Sequence, residues 1–103
     1  MSWADYYIKD LSEGKAVQFR PSGNSMIGKI NNKELVTVEP LNQEPKVGDI
    51  VLCKVKGNQY LHLVKAIKKD KDKISYQIGN NKGGINGWIK VSSIYGVVTK
   101  VEK

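Results

Sequence analysis

Ile50-Val51-Leu52-Cys53-Lys54-Val55-Lys56-Gly57-Asn58-Gln59-Tyr60-Leu61-His62-Leu63-Val64-Lys65-Ala66-Ile67 reads as two strands and the turn that joins them. Both flanks are rich in β-branched and aromatic residues, which suit a pleated surface. Gly57 and Asn58 tolerate the positive φ of a hairpin turn. The pattern continues outward on both sides. Upstream lie a short strand around Val17-Gln18-Phe19, a turn at Pro21-Ser22 and an alternating run centred on Leu35-Val36-Thr37-Val38. Pro40 and Pro45 bound a loop, since proline interrupts a ladder. Downstream, Lys69-Asp70-Lys71-Asp72 is a polar turn, Ile74 to Ile78 a strand and residues 79–87 a glycine-rich loop. Trp88-Ile89-Lys90-Val91 and residues 94–101 close the chain.

Short strands at close spacing predict an all-β domain with antiparallel sheets coiled into a small, partly closed barrel. Only the N-terminus departs from this. Ser2-Trp3-Ala4-Asp5 has the form of a helix N-cap, Trp3, Tyr7 and Leu11 recur at helical spacing, and Gly14 ends the pattern. The expectation is one short helix at 3–12, within a helical segment 1–14 that precedes a β domain at 15–103.

The 103 residues make one domain with a modest core. No apolar window is long enough to span a membrane, and no secretory signal opens the chain. Cys53, the single cysteine, sits in an apolar strand and reads as a small buried hydrophobe. It excludes an internal disulfide and cannot build a metal site alone, so neither metal nor cofactor is expected, and a cytoplasmic location is the default. The net charge of +7 is concentrated partly in Lys65, Lys68, Lys69, Lys71 and Lys73 around one turn. Such a face attracts nucleic acid or an acidic protein, although no RNP-like, zinc-finger or helix-turn-helix pattern accompanies it.

Chemistry is concentrated elsewhere. Gly23-Asn24-Ser25-Met26 places a serine in a glycine-supported turn. Gly23 lets the backbone approach a substrate closely, nearby backbone N–H groups suit a developing oxyanion, and Met26 fills an apolar pocket beneath the serine. A serine hydroxyl needs an adjacent base. His62 and Lys65 are the candidates, and strict strand alternation sends them to opposite faces unless a bulge intervenes. Imidazole needs little tuning to act as a base near neutrality. A desolvated lysine serves once burial disfavours its ammonium form.

The ordered set Gly23-x-Ser25-Met26, Val47-Gly48-Asp49-Ile50-Val51, the apolar strand with His62 and Lys65, Asn80-Asn81 and Ile94-Tyr95-Gly96-Val97-Val98 resembles the superfamily of LexA-type repressor peptidases and type I signal peptidases. The resemblance runs from Val17 to Val101. It implies a serine endopeptidase of bacterial or phage type, with Ser25 as nucleophile and a peptide substrate. Lys65 resembles the lysine base of the LexA-type members, and His62 resembles the base of the signal peptidases that use histidine. Asn80 or Asn81 fits a position near the cleft, and Trp88 would wall it. Gly28 stands where the family commonly has proline, and Asn31-Asn32-Lys33-Glu34 where it has a Gly-Asp turn. The 24 residues before Ser25 are too few for a repressor's DNA-binding domain and hold neither the usual self-cleavage pair nor a membrane anchor. The expectation is a minimal catalytic-type domain, or alternatively a non-proteolytic binding module of the same fold.

Overall fold

The computed structural model describes residues 3–21, 26, 28–31 and 33–103. Over these residues the chain forms α1 (Asp5–Ser12), β1 (Val17–Phe19), β2 (Leu35–Glu39), β3 (Ile50–Val55), β4 (Asn58–Asp70), β5 (Lys73–Gly79), β6 (Ile85–Ile89), a 3-10 turn (Val91–Ser93) and β7 (Ile94–Glu102). The strands form one antiparallel sheet in the order β1-β2-β7-β3-β4-β5-β6. The fold is all-β with one short helix, as the strand spacing predicts. The barrel is not closed, because β1 and β6 remain edges. The sheet instead coils back on itself, so that a Cβ placed on Gly87 of β6 would lie 3.3 Å from Val55 of β3, three strands away in the sheet.

β3 is the central strand, buried on both faces. Leu52 joins an apolar cluster with Phe19, Met26, Ile30, Val36, Leu61 and Leu63. Its neighbours Val51 and Cys53 join a second cluster with Val64, Tyr76 and Ile78. The alternation along β3 puts the two clusters on opposite faces of the sheet. This explains why residues 50–53 read as a continuous apolar run rather than an alternating one. Cys53 is fully buried, and burial pushes its thiol up to about 12, which leaves it inert.

The helix is shorter than its spacing suggests. Ala4 is the N-cap and makes no side-chain cap; Ser2 lies outside the described residues. Gly14, at φ 83, closes the C-terminus by donating its N–H to Leu11 O. Leu11 packs inward against β7, where Gly96 is required. A Cβ there would stand 2.7 Å from Glu39 O and 2.8 Å from Val38 Cγ1. A second tie holds α1 to β4, where Gln59 Nε2 donates to Asp5 Oδ1 at 3.1 Å. Among the described residues, no helix is long and apolar enough to cross a membrane.

Two features of β4 position the site. Its ladder with β3 covers Asn58 to Leu63, but its ladder with β5 begins only at Leu63. Residues 58–62 therefore have a strand neighbour on one side alone among the described residues. A bulge then falls between Val64 and Ala66, with Lys65 as the extra residue.

Candidate functional site

His62 is 7% exposed, the one polar or charged side chain among the buried described residues. Its Nδ1 lies 2.6 Å from Oδ1 of Asn86, and its ring stacks on Tyr60 with centroids 4.8 Å apart. An amide oxygen only accepts, so Nδ1 carries the proton and donates it to Asn86, and Nε2 is the basic nitrogen. This is the tautomer a general base requires. Burial holds the imidazole below its ordinary value, while the hydrogen bond to Asn86 works against that shift.

A cavity of about 430 Å³ opens at the end of β4 that lacks a β5 partner. It is lined by His62, Leu61, Tyr60 and Gln59 of β4 together with Met26, Ile30, Phe19, Tyr7 and Trp3. Met26 is 5% exposed and packs in the first apolar cluster. Its N–H···O ring is a compact turn, with Lys29 and Ile30 both donating to Met26 O. Ser25 and Gly23 lie outside the described residues. In sequence Ser25 directly precedes Met26, and Met26 lines the same cavity as His62.

Lys65 occupies a different place. Gly79 stands opposite Leu63, so a Cβ on Gly79 would point to the Leu63 face, and Lys65 Cε lies 3.1 Å from that point. The bulge is absorbed at Lys65 and Ala66, after which Ile67 packs in the cluster of Val64. His62 and Lys65 are therefore on opposite faces even with the bulge, and Lys65 does not line the cavity.

The other candidates divide in the same way. Asn80 Oδ1 accepts from the N–H groups of Lys82 and Gly84, both at 2.8 Å, so its amide staples the β5–β6 turn. Asn81 reaches the serine-bearing segment, its Nδ2 3.0 Å from where a Cβ of Gly28 would sit. That leaves little room at Gly28, whose φ of 99 also suits glycine. Trp88 is 47% exposed on β6 and does not line the cavity. Lys68, Lys69, Lys71 and Lys73 are exposed at the β4–β5 hairpin tip, while Lys65 is half-buried and apart from them.

Asn86 was not legible from sequence. It sits within residues 79–87, read as a loop, but belongs to β6, where a register shift opposite Ile78 and Gly79 makes it the extra residue. The Asn86-Gly87 pair was a signal for a turn, not for a histidine partner 24 residues upstream.

The buried His62 makes stability depend on pH. Its folded value lies below the unfolded one of ~6.5, so the unfolded chain takes up the proton first as pH falls. The stability it contributes is complete above ~6.5 and is lost as pH falls through that value toward the lowered folded one. Thermal melts between about pH 7 and 5, above the range of ordinary carboxylates, should show the parent losing Tm. His62→Gln, which cannot titrate, should give a flatter profile; parallel profiles would contradict this role.

A family model described as Peptidase S24-like matches residues 3–84. No curated protein and no solved structure matches the chain.

Proposed function

Because the chain belongs to the Peptidase S24-like family, we propose that it is a serine endopeptidase with Ser25 as nucleophile and His62 as general base. One observation carries the choice of base: His62 is buried beside the cavity that Met26 also lines, with Nδ1 held by Asn86. Asn86 orients the ring as the asparagine of a Cys-His-Asn site does. Nε2 takes the Ser25 proton as Oγ attacks a peptide carbonyl, and backbone N–H groups near Ser25 and Met26 stabilise the oxyanion. The imidazolium then protonates the leaving amine, and water, activated by the same nitrogen, hydrolyses the acyl-enzyme. Lys65 is the alternative base.

The substrate is an extended peptide that pairs with residues 58–62 of β4. Val64 exchanges backbone hydrogen bonds with the 48–49 turn beside β3. By antiparallel alternation, the backbone groups of Leu61 and Gln59 then point to the side without a strand neighbour.

A serine-directed fluorophosphonate tests the reading. The parent should be labelled, and Ser25→Ala and His62→Ala should not. An unlabelled parent would refute it.

The second reading is a binding module without proteolysis, favoured by the exposed lysines at the β4–β5 tip and the charge of +7. Its partner would be nucleic acid. Replacing Lys68, Lys69, Lys71 and Lys73 with glutamine should then abolish binding to short duplex and single-stranded DNA. The parent's affinity should fall steeply with salt, because each phosphate contact releases counterions. Absence of binding at low salt would end this reading.

A further inference from the structure

The aromatic wall of the cavity has no part in the chemistry above. Trp3 and Phe19 are tilted with centroids 5.6 Å apart, Trp3 and Tyr7 are tilted at 6.4 Å, and Tyr7 stacks on Phe19 at 4.4 Å. Phe19 is buried, yet Trp3 remains 50% exposed at the mouth. Such rings build a core when closed over. Here they line a space of about 430 Å³, within the range of a ligand pocket.

We propose that the cavity between α1 and β4 is a specificity subsite that takes one large aromatic side chain of the peptide substrate. This rests on the peptidase reading and names its substrate class. Rings prefer tilted or offset partners at 4.5–7 Å, and Trp3, Tyr7 and Tyr60 all line the cavity. The subsite is in register with the cleavage point. A strand rises ~3.3 Å per residue, so the wall from His62 back to Gln59 spans ~10 Å. The selected residue therefore lies within about three positions of the scissile bond. The described lining holds no carboxylate and one cation, Arg20, whose Nη1 already donates to Lys33 O at 2.8 Å. A nucleic acid stacking its bases here would find no track of cations for its phosphates. An uncharged ring on a peptide meets no such lack.

The test separates binding from turnover. Ser25→Ala protein is titrated with a capped pentaalanine peptide and with the same peptide bearing one central tyrosine or tryptophan, followed by the Trp3 indole N–H resonance. The aromatic peptide should bind about tenfold tighter. Trp3→Ala and Trp3→Leu, each introduced beside Ser25→Ala and checked by circular dichroism, should erase that preference, which then reads from backbone shifts of Tyr60 and Leu61. Equal binding of the two peptides, or a preference that survives both variants, overturns the proposal. So does displacement of the aromatic peptide by a single-stranded DNA hexamer whose affinity collapses with salt. Cleavage of both peptides by the parent is measured in parallel. Aromatic-selective binding without cleavage leaves the subsite standing and removes the peptidase reading; cleavage without selectivity does the reverse.

Discussion

His62→Ala should lower kcat/KM on a cleaved peptide by about 10²–10⁴-fold, the range of a general base, while Lys65→Ala should stay within a few-fold of the parent. The asymmetry follows from position. His62 is buried on the cavity wall, and its proton is fixed on Nδ1 by Asn86 at 2.6 Å. Lys65 lies on the Leu63 face, over Gly79, and is not among the residues that line the cavity. Asn86→Ala should have an intermediate effect: the imidazole remains but can rotate and change tautomer. Its loss should be mainly in kcat, since Asn86 touches the ring and not the peptide. The pH profile gives an independent check. With the imidazole held below ~6.5, the acid limb should fall below that value. An inactive Lys65→Ala beside an active His62→Ala would assign the base to Lys65. These steady-state rates should be read together with melts, because His62 is also part of the packed interior.

Met26→Ala should cost about 2–3 kcal/mol, the lower part of the range for a buried large-to-small change. Met26 is 5% exposed and packs with Ile30, Leu61 and Leu63. Open volume already lies on one side of it, so the new void adds less than it would in a closed core. For a domain of this size the loss corresponds to a Tm about 10–20 °C lower. Ser25→Ala should change stability by no more than ~0.5 kcal/mol, since it removes a hydroxyl without opening a cavity. Scanning calorimetry of both variants beside the parent separates anchor from nucleophile. A Met26→Ala protein that melts with the parent would contradict the packing of the turn. A Ser25→Ala protein that unfolds would make Ser25 a structural cap.

The all-β class, the 50–67 hairpin and the terminal helix were determined by the sequence itself, because each rests on local chemistry. Gly57 and Asn58 permit the turn, and alternation in residues 35–39 and the apolar run of residues 50–53 mark one strand buried on a single face and one on both. The burial of Cys53 followed from the same apolar run, and that of Met26 from its place beside Ser25 in the glycine-supported turn. The helix start did not, because Ala4 stands at the N-cap of α1 and makes no side-chain cap.

Only the tertiary structure decided the surroundings of the base. Bulges carry no reliable sequence signature, and one at Lys65 and another at Asn86 control which side chains meet. The first leaves unchanged the separation of His62 from Lys65 that alternation already predicts and shifts the residues after it; the second turned a residue read as loop into the partner of His62. The cavity is likewise a product of assembly: Trp3 and Tyr7 share its lining with Tyr60 and His62, Asp5 ties α1 to Gln59, and β5 pairs with β4 no further than Leu63. The tie between Asp5 and Gln59 joins residues 54 positions apart, and no local propensity reaches that far.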